Sequence, residues 1–201
     1  MDHEIIPLSK LEDDQLKQLA ELHYSVMHTL LTDLGLPIIL RYYQVARSDR
    51  SVIAICALDP SKKLIGLAIG SSHPDRINSA LRSPLLWFAF QMLRVLFTHP
   101  FVFWQLISSV LSSSAEAEMK SDAIELTYIG VAADQRSRGL GRDLLNAFIG
   151  ASLETGYRSV VLSVEKDNGS AIALYKKAGF KITKTFSEGS YERHRMELIL
   201  E

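Results

Sequence analysis

Two glycines and three arginines fall within the seven residues RSRGLGR, residues 136–142. Residue types with this spacing bind phosphate. Gly139 and Gly141 carry no Cβ, so the backbone there approaches an anion closely and takes positive φ where a turn needs it. Arg136, Arg138 and Arg142 add mobile positive charge around the same spot; solvated surface charge is their alternative reading. The run follows a β-like stretch, residues 125–131, and opens a segment of helical period, residues 140–153. Backbone N–H groups in the first turn of a helix lack intrahelical partners and sit at the positive end of its dipole, which makes them phosphate donors. Two familiar cradles fail on their own residues. A P-loop needs Lys and Ser or Thr directly after its last glycine, where Arg142 and Asp143 stand. A dinucleotide fingerprint needs a third small residue at position 144, which is Leu144. What remains is R-x-x-G-x-G between a strand ending IGV and a helix.

Further along, VVLSVEKDNGSAIALYKKAGFK places Asn168, Ala171, Leu174, Tyr175, Gly179 and Phe180 in a strand and helix that follow the first motif. Together with ELTYIGVAADQRSRGLGRDLLNAFI, this run resembles the central motifs of the GNAT acyl-CoA-dependent N-acetyltransferases over about sixty residues. The resemblance implies acetyl-CoA as co-substrate, without a metal. Backbone amides of Arg136, Ser137, Arg138, Gly139, Leu140, Gly141 and Arg142 are then expected to hold the CoA pyrophosphate. The strand ending Ile129, Gly130, Val131 is expected to splay from the strand at 160–164 and admit the pantetheine arm. A backbone N–H from Ile129 to Val131 is expected to polarise the thioester carbonyl, a donor preorganised where negative charge develops. Asn168 and Tyr175 are expected to complete the CoA site.

The implied reaction moves acetyl to an amine by direct attack in a ternary complex. An alkylammonium is a poor nucleophile until it loses a proton from a pKa near 10, and a CoA thiolate leaving group benefits from a proton donor. Asn168 and Tyr175 lie seven apart, about two helical turns, so they share one face. Tyr175 is the candidate acid, with packing as its alternative role. Glu125 is the candidate base: it lies six residues before Val131, where some family members carry a catalytic glutamate, and period two puts it on the face of Thr127 and Ile129. Its alternative is a salt-bridged or solvated carboxylate, with a water chain ending at Glu165, Tyr128 or a backbone carbonyl taking the proton instead.

The elements that position these residues follow from periodicity. Residues 3–8 read as a first strand. Ser9 and Glu12 form a capping box for a helix that runs to Gly35, and Pro37 opens a second helix ending near Arg47. Residues 51–58 and 64–70 read as an antiparallel pair joined by DPSKK. After the motif strand and helix come a strand at 160–164, a helix at 170–178 stopped by Gly179, and strands at 181–186 and 191–200. This order predicts one α/β domain over residues 1–201: a GNAT-like, mixed, mostly antiparallel central sheet of about six to seven strands with helices on both faces.

A helical insert, about residues 76–120, interrupts that plan between the third and fourth strands. LLWFAFQMLRVLF at 85–97 reads as a helix buried nearly all round, and FVFWQLISSVL at 101–111 as a second one, each too short to cross a bilayer. Core packing or a homodimer surface is the plain role; a lid over the acceptor, or peripheral membrane contact through 85–111, is the other. A net charge of −1 argues against a general nucleic-acid partner. The single Cys56 leaves no disulfide framework and sets a reducing, cytoplasmic expectation, and MDHEIIPLSK does not read as a signal peptide. Histidines 3, 23, 28, 73, 99 and 194 show no metal-ligand spacing. Two other functions compete with transfer to a soluble amine: a non-catalytic acyl-CoA-binding module, and an acyltransferase acting on a lipid-linked or apolar acceptor through the insert.

Overall fold

The computed structural model describes residues 3–27, 29–98, 120–188 and 191–201. Its elements in chain order are β1 (Glu4–Pro7), α1 (Asp13–Val26), α2 (Leu30–Asp33), α3 (Leu36–Ser48), β2 (Val52–Leu58), β3 (Leu64–Ser71), α4 (Pro74–Leu81), α5 (Leu85–Thr98), β4 (Ala123–Val131), α6 (Leu140–Thr155), β5 (Ser159–Glu165), α7 (Gly169–Lys177), β6 (Lys181–Glu188) and β7 (Tyr191–Ile199). The strands form one seven-stranded sheet in the order β1-β2-β3-β4-β5-β7-β6. Every neighbouring pair is antiparallel except β4–β5, whose parallel pairing is made possible by the crossover through α6.

Two apolar layers hold the helices to this sheet. On one face Leu16 and Leu19 of α1 and Ile38, Ile39 and Tyr43 of α3 pack over Leu67 and Ile69 of β3. On the other, Leu144, Leu145 and Phe148 of α6 pack over Ile124, Val160 and Leu162. Helix α1 starts later than the sequence predicts. Gln15 Oε1 accepts from the Glu12 N–H at 3.0 Å, so Glu12 rather than Ser9 is the capping residue. Helix α1 also ends at Val26 and is followed by the separate turn α2 instead of continuing to Gly35.

His23 shares the buried stripe of α1 with Leu16, Leu19 and Ala20. Its Nδ1 lies 2.7 Å from the Tyr43 hydroxyl and its Nε2 3.3 Å from Thr29 Oγ1, and its ring meets Tyr128 edge-on with centroids 5.0 Å apart. Burial pushes its pKa down from 6.5 to about 4. The unfolded chain therefore takes up this proton first as pH falls, so stability is expected to decline between about pH 6.5 and 4, by on the order of 3 kcal/mol. Denaturant titrations across that range are expected to show the decline in the wild type and a flatter profile in His23→Asn.

Helix α5 corrects one expectation. It is not buried all round: Trp87, Phe88 and Met92 pack against the α1–α3 core, while Leu85, Leu86, Phe90, Leu93 and Phe97 face outward, Leu86 being 87% exposed. It lies outside the α1–α3 layer, so only one of its faces meets protein among the described residues. Residues 101–111 and His28 lie outside the described residues. No helix among the described residues is long and apolar enough to cross a membrane.

A β-bulge in β4 decides which side chains meet. Ile69 pairs with Tyr128 and Gly70 with Leu126, leaving Thr127 as an extra residue on β4. The bulge reverses the alternation: Ile124 and Leu126 face α6, and so do Ile129 and Val131, while Tyr128 faces α1 and α3. Glu125 is therefore on the face opposite Ile129, which corrects the period-two placement. The bulge needs Gly70, because a Cβ there would lie 2.2 Å from the Glu125 carbonyl oxygen and 2.6 Å from the Phe148 ring. Gly70→Val is expected to cost about 3 kcal/mol, read as a fall in Tm of roughly 6–12 °C.

Candidate active site

Strands β4 and β5 pair at three positions only: Ala123 with Ser159, Ile124 with Val160, and Glu125 with Val161. Beyond them β4 continues to Val131 against β3, and β5 continues to Glu165 against β7. The two strands thus part in the middle of the sheet and leave a fork. The Ala132 N–H donates to Ile65 O of β3 at 2.9 Å. By ladder alternation, Val131 and Ile129 then turn their N–H groups away from β3 and into the fork, while Gly130 pairs with β3. Gly130 has no room for a side chain, since a Cβ would meet Met27 Cε at 2.5 Å. The end of α1 thus closes the fork on that side.

The loop expected to hold phosphate lies where β4 leads into α6. Ser137 and Gly139 both have positive φ, 63° and 88°. Left-handed residues alternating with extended or helical ones curl successive N–H groups toward one point. The N–H groups of Ser137, Gly139, Leu140 and Gly141 have no hydrogen-bond acceptor among the described residues. Gly139 is the N-cap of the 16-residue α6, with no side chain capping it. Four open donors at the positive end of a long helix make an anion site without further help. The arginines are less uniform. Arg136 Nε reaches Val131 O at 3.5 Å, Arg142 Nε stands 3.6 Å from Asp143 Oδ1, and Arg138 Nη1 reaches Gln135 Oε1 at 3.5 Å. Arg142 Nη2 also lies 3.6 Å from where a Cβ on Gly139 would stand, so this guanidinium borders the loop.

Asn168 and Tyr175 sit at the start and near the end of α7, beside the far arm of the fork. Asn168 is the N-cap of α7: its Oδ1 accepts from the Ala171 N–H and from Ser170 Oγ, each at 3.1 Å. A cap of this kind contributes about 1 kcal/mol. Tyr175 is 6% exposed and packs against Phe180, with ring centroids 5.8 Å apart. Its hydroxyl makes no hydrogen bond among the described residues, yet it is not a buried orphan, so the oxygen reaches accessible surface. Burial pushes this phenol up from 10 to about 12. At neutral pH it is a proton donor.

Glu125 stands at the point where β4 and β5 separate, and it is ion-paired. Arg195 Nη1 donates to Glu125 Oε1 and to Ser163 Oγ, the latter at 3.0 Å. Sequence reasoning missed Arg195 and Ser163. Their signal was the alternation of Arg193, Arg195 and Glu197 on one face of β7, which marks a polar face but not its partner. Tyr128, named as a possible proton outlet, lies under α1 and α3; burial pushes its phenol up to about 12, opposed by the Arg193 charge. Glu165 meets Arg193 at 3.9 Å. Cys56 is buried, its thiol pushed up to about 12, and is chemically inert there. No cluster of three or more potential metal ligands occurs among the described residues.

Comparisons with known proteins agree with this geometry. The Escherichia coli ribosomal-protein-S18-alanine N-acetyltransferase superposes with a TM-score of 0.60 at 16% identity, covering 98% of this chain and 94% of that one. A putative acetyltransferase of Acinetobacter baylyi superposes with a TM-score of 0.66 at 15% identity, covering 99% and 93%. At these identities the likeness is one of fold. In sequence, the mycothiol acetyltransferase of Corynebacterium aurimucosum is 42% identical over 60 residues, 30% of this chain but only 20% of that relative's length. The Acetyltransferase (GNAT) family matches residues 27–180, from the end of α1 through α7. With the forked sheet, the open donors at α6 and a family match over most of its length, the chain belongs to the GNAT acetyltransferase family.

Proposed function

We propose that this protein is an acetyl-CoA-dependent N-acetyltransferase acting by direct attack of an amine on the bound thioester. The observation that carries this is the fork between β4 and β5 opening beside the four open N–H donors that lead into α6. The loop from Arg136 to Arg142 takes the pyrophosphate, and the fork takes the pantetheine arm. Asn168 flanks that arm from the start of α7. The amine nitrogen attacks the thioester carbon and a C–N bond forms; the oxyanion is met by the N–H groups of Ile129 or Val131. The tetrahedral intermediate collapses with loss of the C–S bond, and Tyr175 donates its hydroxyl proton to the departing sulfur. The proton lost by the ammonium leaves toward Glu125, directly or through water. No metal enters these steps. A cytoplasmic location belongs to this reading, since the donor is a charged nucleotide thioester that does not diffuse across membranes.

The acceptor is an amine of unassigned class. The mycothiol acetyltransferase match covers a fifth of that protein, so its acceptor is not carried over. The outward apolar face of α5 favours one second reading, in which the acceptor has an apolar or lipid-linked tail, or in which α5 meets a second copy or a membrane surface near the acceptor. The test is CoA-thiol release with a panel of primary amines, run beside calorimetric titration with acetyl-CoA. Micromolar acetyl-CoA affinity with turnover of at least one amine is the expected result. Tight binding without turnover of any amine would instead assign a non-catalytic acyl-CoA-binding module.

A further inference from the structure

We propose that Arg195 is a positioning residue for the thioester: it sets the width of the fork and the place of Glu125 by tying three strands together at the point where the sheet divides. The inference rests on the reading of the fork as the acetyl-CoA site. From Val161 onward, β5 stays with β7 as far as the Glu165–Arg193 pair, so β5, β7 and β6 leave the fork as one unit. Strands β1 to β4 form the other unit. On the α6 face the two units share an apolar layer, with Ile124 and Leu126 of β4 beside Val160 and Leu162 of β5. On the opposite face no such layer spans them among the described residues. There Ser163 of β5 and Arg195 of β7 lie directly across from each other, and the Arg195 side chain crosses β5 to reach Glu125 of β4.

Among the described residues, two ion pairs cross from β7 to the other side of the fork on this face, one to Glu125 of β4 and one to Lys120 just ahead of β4, and they are unequal. Lys120 Nζ meets Glu197 Oε1 at 3.1 Å, but the lysine side chain is 67% exposed. An exposed pair of this kind holds little. The Arg195 side chain is 18% exposed and that of Glu125 28%, and one guanidinium nitrogen serves two acceptors on two strands. Planar, delocalised guanidinium holds such a geometry where a lysine ammonium on a flexible stem does not. Glu125 is also the last β4 residue to pair with β5. The clip therefore sits at the vertex of the fork, where a small angular change moves Ile129 and Val131 furthest from the opposite arm.

Calorimetry of the full-length chain with two probes tests this: acetyl-CoA, which fills the fork, and 3′-phosphoadenosine 5′-diphosphate, the nucleotide half of the same molecule without pantetheine. Arg195→Met is expected to weaken acetyl-CoA binding about tenfold and the nucleotide half by less than twofold. Glu125→Gln is expected to do the same, and the double variant is expected to be no worse than either single one, because both break one link. Arg195→Lys, which keeps charge and bulk if the methionine variant fails to fold, is expected to fall between. Equal losses for both probes, or additive losses in the double variant, would overturn the positioning role. A wild type that binds neither probe would remove the acetyl-CoA site itself, whereas one that binds both with Arg195→Met unchanged would remove only this inference.

Discussion

Gly139→Asp is expected to weaken acetyl-CoA binding about 100-fold relative to Gly139→Asn, with the two variants melting within a few degrees of one another. The comparison isolates charge. Gly139 has φ of 88° and ψ of −11°, a left-handed conformation in which asparagine and aspartate are the side chains best tolerated after glycine. Both variants carry that backbone strain, and the side chains are nearly the same size. They also place a new Cβ 3.6 Å from Arg142 Nη2, an ordinary contact that both variants share. What differs is one negative charge among donors arranged for an anion. Two unit charges about 5 Å apart at an effective dielectric near 20 repel by roughly 3 kcal/mol, about a hundredfold in affinity. The ratio should shrink with added salt, since the loop is exposed. Isothermal titration of both variants with acetyl-CoA at two ionic strengths measures it, and a ratio near one would place the pyrophosphate elsewhere.

Tyr175→Phe is expected to lower kcat about 100-fold while changing acetyl-CoA affinity less than threefold and Tm by less than 2 °C. The hydroxyl makes no hydrogen bond among the described residues, so its removal leaves no protein group unpaired. A loss confined to kcat therefore reports a role that exists only during the reaction. The pH dependence has a definite sign. Burial raises the phenol to about 12, so the acid stays protonated and no falling alkaline limb assignable to Tyr175 appears below about pH 11. The same shift makes the unfolded chain lose this proton first, so stability falls as pH rises from 10 towards 12, and the phenylalanine variant lacks that component. Steady-state rates over pH 6–10 with saturating acetyl-CoA settle the acid role, and a variant within a few-fold of wild type would leave Tyr175 as packing alone.

The open-donor loop proposed to hold the acetyl donor was legible in the sequence because its constraints are local. Phosphate needs donors within one turn, so Gly139, Gly141 and the start of α6 had to be adjacent in the chain, and the elimination of other cradles needed only positions 142–144. The strands, and the helices set between them, followed from periodicity and turn residues in the same way. What the sequence hid were matters of parity and of distant pairing. One extra residue at Thr127 turns Glu125 away from Ile129, and nothing in ELTYIGV marks it; its enabling partner is Gly70, on another strand. The Glu125–Arg195 contact joins residues 70 apart, fixed only once β7 pairs with β5. Helix α5 misled for another reason. Its composition is apolar all round, but composition does not say which element lies outermost, and α5 lays one face on the α1–α3 core without its outer face being covered among the described residues.

The fork has a consequence for how the chain keeps its solubility. Proteins usually guard the margins of a sheet, where unpaired strand backbone invites other strands; here the margins are β1, only four residues long, and β6, which carries Lys181 and Lys184. This sheet has a third margin, in its interior. From Leu126 to Val131, β4 has no strand partner on its β5 side among the described residues, and its outward N–H groups are as ready to template an extended chain as any terminal strand. The defence there is geometric. The opening narrows to zero at Glu125 and Val161, so a full polypeptide strand, which needs about 4.8 Å of clearance on each side, does not reach the vertex. An unbranched amide-bearing arm of the kind proposed above would pair with β4 nearer the open end. A sheet forked in this way keeps an open strand edge in its interior while its vertex stays closed to a further strand.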